Sequence, residues 1–171
     1  MEKTPWFNRK FSNILNNGLF PGILERLEGT SVRLETKVKG IDETRLTAKP
    51  DEVWSIKENI GHLWILEPLW LGRIEDIKND VSILREADLS NSATDEAGFN
   101  NQLLEDILTG FRLERRKLLS TLSSIAVSDL EKIALHPRMR TPMRIIDLAF
   151  FIAEHDDHHL AQISFLKKMN S

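Results

Sequence analysis

His155, His158 and His159 crowd one stretch near the end of the chain, while His62 stands far upstream. Imidazole is the commonest side-chain ligand for transition metals. Two imidazoles four residues apart on a helix share one face, with β-carbons about 5–6 Å apart. His155 and His159 have that spacing and can bind one cation together, and His62 can bring a third nitrogen from another segment. The chemistry in view is that of a protein-bound metal ion.

Helical phase sharpens this reading. At about 100° per residue from His155, Leu148 and Leu166 fall at about 20°, His159 at about 40° and Ile152 at about 60°, so both histidines lie in an apolar stripe. His158 falls at about −60°, at the stripe's edge, and Asp157 at about 200° faces away. Around His62, Leu66 lies at about 40°, Leu69 at about −20° and Glu58 at about −40°, so His62 also points inward. A lone histidine on an apolar face is ordinarily a core residue with a hydrogen-bond partner, and His62 by itself reads that way. The pair reads as ligands, because two neutral imidazoles in a dry core each need a partner and one shared ion satisfies both. His136, beside Pro137 in a loop, reads as a surface residue.

Four helical segments must position these groups, and no strand is expected. The first spans Phe20 to Val38, with a break expected at Gly29-Thr30, where Thr30 can cap a new turn, and with Gly40 as its C-terminal stop. The second runs from Ser55 to Lys78: Ser55 and Glu58 have the spacing of a capping box, and Pro68 inside it predicts a kink. A polar stretch from Asn79 to Ala97 suits a long crossover between bundle helices. The third helix spans Phe99 to Leu122, with Leu103, Ile107, Phe111, Leu118 and Leu122 as its stripe. After a turn at Asp129 to Lys132, Thr141 as cap and Pro142 as first residue predict the start of the last helix, which runs to Met169.

Other chemistries fit less well. Asp156 follows His155, where a zincin pattern needs glutamate. As a metal-phosphohydrolase His-Asp pair, His155-Asp156 fails because the two side chains diverge by about 100°. The eight glycines are scattered and make no phosphate loop, and no serine sits in a nucleophile elbow.

Composition bounds the rest. The 171 residues, 41 % hydrophobic and 29 % charged, suit one domain over residues 1–171. A net charge of −3 argues against a nucleic-acid partner, and the densest basic cluster, Arg112, Arg115, Arg116 and Lys117, reads as a solvated face. No window approaches the roughly 18 apolar residues of a membrane span. The opening Glu2, Lys3 and Pro5 do not read as a leader, so a cytoplasmic protein is expected. The absence of cysteine excludes disulfides, thiolate metal clusters and a cysteine nucleophile, so any thiol chemistry needs a thiol from outside.

Two segments carry a family resemblance: Trp54-Ser55-Ile56-Lys57-Glu58-Asn59-Ile60-Gly61-His62-Leu63, and His155-Asp156-Asp157-His158-His159-Leu160-Ala161-Gln162-Ile163. With the early Phe20-Pro21-Gly22-Ile23-Leu24-Glu25-Arg26-Leu27, Gly29-Thr30 and His136-Pro137, the chain resembles the DinB-like proteins, in their YfiT-type branch of metal-dependent hydrolases and thiol transferases. The resemblance implies an all-α, up-down-down-up four-helix bundle with a long crossover between helices 2 and 3. It implies a divalent metal on His62, His155 and His159, with His158 outside the ligand set. Leu160-Ala161 departs from the arginine and glycine of many relatives, which removes any anion contact that arginine would make.

Three histidines without a carboxylate resemble catalytic rather than structural zinc sites. Zinc or nickel is expected first, with manganese or iron also compatible with imidazole. The expected activity is transfer of a low-molecular-weight thiol to a small electrophile, as the resemblance to bacillithiol- and mycothiol-dependent enzymes implies. The alternatives are hydrolysis by metal-bound water and a stress-related bundle that binds without turnover. Glu58 reads first as a cap and second as a base or a group orienting a ligand. Gln162, at about −20° on the last helix, is a candidate hydrogen-bonding residue beside His159. Trp64, Trp70 and Phe151 read as core bulk. Ile146, Ala149, Ala153 and Leu160 form a second apolar stripe, from which a homodimer is expected.

Overall fold

The computed structural model describes residues 4–50 and 53–169, so Glu2 and Lys3 of the leader reading lie outside the described residues. Four long helices dominate: α1 (Phe20–Val38), α2 (Ile56–Lys78), α3 (Leu104–Ser123) and α4 (Ile145–Met169). Both α1 and α2 pack against α3 and α4, so α1 and α2 occupy one diagonal of the bundle. Residues 79–103 carry the chain from α2 to α3 as the expected crossover, folding on the way into a short helix at Ser92–Glu96 and a tight turn at Phe99–Asn101. None of the described helices is long and apolar enough to cross a membrane.

The capping box of α2 is formed as its sequence predicts: Glu58 N donates to Ser55 Oγ at 3.1 Å and Ser55 N to Glu58 Oε2 at 2.8 Å. Every residue from Ile56 to Leu63 is buried, so the first two turns of α2 are enclosed on all sides. Beyond them, α2 runs through Pro68 without interruption.

Several boundaries differ from the sequence reading. α1 is continuous through Gly29-Thr30: Thr30 caps nothing, and its hydroxyl lies 3.1 Å from the Arg26 carbonyl and 2.7 Å from Asp156 Oδ2. α3 begins at Leu104 rather than Phe99, because Phe99 turns inward to pack on Gly61, and Leu103, expected in the buried stripe, is 71 % exposed. Thr141 and Pro142 do not start α4. Pro142–Met143 (β2) pairs antiparallel with Ala134–Leu135 (β1), a small hairpin where no strand was expected. Asp147 closes the start of α4 instead, accepting from Arg144 N at 2.9 Å and from Ile14 N at 2.6 Å, which ties down the N-terminal segment.

The core is two apolar clusters separated by a polar layer. One holds Leu27, Trp70, Leu118 and Ile152; the other holds Leu34, Leu63, Phe111 and Ile163. Between them each helix contributes one polar group: Thr30, Glu67, Arg115 and Asp156. Arg115, expected on a solvated face, is 1 % exposed and binds Glu67 at 2.6 Å and Asp156 at 2.5 Å. Burial pushes the Glu67 carboxyl up to about 7 despite Arg115, which brings two carboxylates and one guanidinium closer to neutrality.

Candidate metal centre

The three histidines meet just beside this polar layer. α4 brings His155 and His159 together, their ring centroids 4.6 Å apart, and the second turn of α2 places the His62 ring 5.4 Å from the first and 4.9 Å from the second. One ring nitrogen from each lies within 4.8 Å of the other two. Nε2 of His155 and Nε2 of His159 are 3.3 Å apart. That matches the span of about 3.3 Å between two nitrogens bound tetrahedrally by bonds of about 2.0–2.1 Å.

Groups outside the trio set which nitrogens face inward. His159 Nδ1 lies 2.8 Å from Asn59 Oδ1. Asn59 Nδ2 donates to the carbonyls of Trp54 and Ser55, at 3.1 and 2.8 Å, which fixes the amide with its oxygen toward His159. An oxygen there must accept, so Nδ1 of His159 carries the proton and Nε2 keeps its lone pair. His62 Nδ1 lies 2.9 Å from Thr94 Oγ1, leaving its Nε2 for the trio. His155 Nδ1 is buried without a partner among the described residues, and its ring is flanked by Trp6 at 4.9 Å and Trp70 at 5.7 Å.

All three rings are 5 % exposed. Burial holds the His62 imidazole down to about 4, against the opposing pull of Asp95, and pushes His155 well below its ordinary value. His62 and His155 are thus neutral nitrogen donors at pH 7, the form a metal requires.

The other candidates are spread around this group. His158 is half-buried, its ring perpendicular to that of His159 at 5.1 Å and 5.5 Å from Trp6. Glu58 is occupied structurally, with one carboxylate oxygen on Ser55 N and the other 3.0 Å from Lys49 Nζ. Gln162 lines a shallow recess with Trp54, Asn59 and His159. Trp70 and Phe151, expected as core bulk, are buried but also line the cavity at the histidines, whereas Trp64 packs on Phe99. His136 is not a surface residue: it is 3 % exposed, with Nε2 3.3 Å from Arg73 Nη1, because the β-hairpin folds it under the cavity wall.

The cavity measures about 410 Å³ and is bounded by Trp6, Trp54, Trp70, Phe151 and the three histidines. Its size suits a small molecule. Asn59 is legible as part of the segment around His62, one turn before it on the helix; Thr94 and Trp6 come from the short helical turns Ser92–Glu96 and Trp6–Asn8, too brief for a periodicity to place them.

No curated protein matches this chain. Among solved structures, YfiT from Bacillus subtilis, described as a probable metal-dependent hydrolase with an unusual four-helix bundle topology, superposes with a TM-score of 0.81 at 14 % identity, over 95 % of this chain and 93 % of that one. A Streptococcus pneumoniae protein matches with a TM-score of 0.66 at 14 % identity, over 94 % of this chain and 93 % of its own. A protein of Clostridium difficile 630 reaches 0.65 at 14 % identity, over 94 % and 99 %. These likenesses establish the fold, an up-down-down-up four-helix bundle. The family model of the DinB superfamily matches residues 26–163, so this chain belongs to the DinB superfamily.

Proposed function

We propose that Nε2 of His62, His155 and His159 holds one divalent metal, zinc or nickel first and manganese or iron as alternatives, and that the protein is an enzyme transferring a low-molecular-weight thiol to a small electrophile. The observation that carries this reading is the convergence of three buried imidazoles on one point, two of them oriented by Asn59 and Thr94. When bound, the metal supplies Lewis acidity and holds a coordinated thiol as thiolate or a coordinated water as hydroxide.

The residues around it favour the thiol. Among the described residues the carboxylates lining the cavity are Glu86 and Asp88, both exposed at its mouth, and Asp88 accepts from Ser90 and Ser92. Glu58 is engaged elsewhere, so among the described residues no buried carboxylate at the cavity stands ready as a general base. Coordination there would lower a thiol's pKa so that its proton could pass to solvent without a dedicated base, and three neutral ligands would leave the full positive charge to stabilise the anion. Trp6, Trp54, Trp70 and Phe151 exclude water and offer faces for an apolar electrophile. His158 in the cavity and Gln162 in the adjoining recess are our candidates for hydrogen-bonding substrate.

Hydrolysis is the second reading, favoured by the description of the B. subtilis protein. The test is consumption of 1-chloro-2,4-dinitrobenzene with an added thiol. Thiol-dependent loss, abolished by a chelator and by His155→Ala, supports transfer; ester cleavage without thiol under the same metal dependence supports hydrolysis. Metal and ligand binding with neither turnover would leave a binding bundle.

A further inference from the structure

Arg73 and Arg138 line the same cavity as the histidines, yet neither forms an ion pair among the described residues. Arg73 is 2 % exposed. Its Nε donates to the Arg85 carbonyl at 3.0 Å, its Nη1 faces His136 Nε2 at 3.3 Å, and its Nη2 has no partner among the described residues. Arg138 lies over the Phe7 ring at 5.1 Å and its Nη1 reaches the Phe7 carbonyl at 3.4 Å, while its Nη2 is buried without a partner among the described residues. The acidic neighbours are committed or exposed: Asp76 is held by Arg85 at 2.7 and 3.0 Å, Asp88 by its two serines, and Glu86 lies in solvent.

The wall also has more donors than acceptors. Met139 N donates to His136 Nδ1 at 3.2 Å while Arg73 Nη1 presents an N–H to Nε2 of the same ring. A neutral imidazole accepts at one nitrogen only, so one of these two donors lacks an acceptor whichever tautomer is present. Protonation would deepen the conflict, since an imidazolium accepts at neither nitrogen, and burial with the charges of Arg73 and Arg138 holds His136 down to about 4. Asp76, shared with Arg85, gives Arg73 part of its counter-charge, yet burial still holds Arg73 down to about 10, and a buried cation short of partners is costly. An oxyanion entering the cavity supplies the missing charge and acceptors together, and a carboxylate matches the guanidinium fork.

We propose that Arg73 and Arg138 form a carboxylate-binding subsite, so that the protein acts on small organic acids with an apolar body, held by the carboxylate at one wall with the reactive end toward the three histidines. Trp70 links the two ends: the Arg73 guanidinium carbon lies 5.4 Å from its ring centroid and the His155 ring 5.7 Å from it. The placement of the reactive end rests on the metal reading of His62, His155 and His159; the subsite itself does not.

The test titrates chelator-treated full-length protein with benzoate and, separately, benzamide, following the fluorescence of Trp6, Trp54 and Trp70. Removing metal keeps a direct carboxylate–metal bond from imitating the subsite. Benzoate is expected to bind about tenfold or more tighter than benzamide, and the preference is lost in Arg73→Met and Arg138→Met. Arg138 is half-buried, so its variant serves if Arg73→Met fails to fold. A purely structural arginine would not discriminate charged from neutral ligand. A matching preference for 3-mercaptopropionate over 2-mercaptoethanol supports the same subsite with the carboxylate on the thiol. Equal affinities for each pair, no binding, or a preference surviving in both variants overturns the proposal. The benzoate preference persists in His62→Ala, and the metal content of Arg138→Met equals that of wild type. Failure of the wild type to take up metal therefore counts against the metal reading alone.

Discussion

Asn59 determines which nitrogen of His159 faces the trio. Its amide nitrogen is spent on the carbonyls of Trp54 and Ser55, its oxygen sits 2.8 Å from His159 Nδ1, and Nε2 is thereby left as the donor. Groups that orient a metal-binding imidazole typically contribute about 10–100-fold to affinity. Asn59→Leu is expected to weaken zinc or nickel binding by that factor while keeping one equivalent at saturation, measured by competition with a chromophoric chelator. Wild-type affinity in the variant would remove Asn59 from the account.

The two sites of this relationship differ in how readily they are read from sequence. His155 and His159 declare themselves because a spacing of four on a helix is a spatial statement, and the Ser55–Glu58 box marks where the helix carrying His62 begins. Thr94 sits in a five-residue helix inside the crossover, and His136 in a loop folded back by a two-residue hairpin; neither has a period from which its neighbours follow. Arg115 lies among Arg112, Arg116 and Lys117, and helical phase places it in the stripe of Phe111 and Leu118, a signal that the basic cluster masks; its partners, Glu67 and Asp156, are on other helices. Local pattern therefore located the four long helices and the His155–His159 pair, while the groups that hold them depend on contacts distant in sequence.

The same ion group predicts a stability effect. Arg115→Met leaves Glu67 and Asp156 buried without their cation, and breaking a buried pair from one side costs about 3–5 kcal/mol. Urea unfolding is expected to show a loss in that range, larger than for Arg112→Met, whose side chain pairs with Glu35 at the surface. Equal losses would place the ion group outside the cooperative core.

Acid should destabilise the metal-free protein in a defined window. Buried His136 is neutral in the fold down to about 4, by burial first and then the charges of Arg73 and Arg138; burial likewise holds His62 to about 4. The unfolded imidazoles titrate near about 6.5. Between those values the unfolded chain binds more protons, so stability is fully present above about 6.5 and falls as pH drops toward about 4. Urea midpoints of chelator-treated protein are expected to decline from pH 6.5 to 5, less steeply in His136→Gln. A flat profile, or an unchanged slope in the variant, would contradict neutral buried histidines.

Gly61, next to His62, leaves no room for a side chain, since a Cβ there would overlap the Phe99 ring. Gly61→Ala forces Phe99 from its packing and is expected to cost about 1–3 kcal/mol, despite alanine's better helix propensity. A thermal unfolding scan measures it, and a raised Tm would show that Phe99 moves freely.

The central claim is that His62, His155 and His159 bind one cation together, and metal analysis tests it most directly. Protein incubated with zinc or nickel and freed of excess by gel filtration is predicted to carry one equivalent per chain by elemental analysis. His62→Ala, His155→Ala and His159→Ala should each fall far below that, and His158→Ala should match wild type. Equal metal content in wild type and in all three ligand variants would contradict the account.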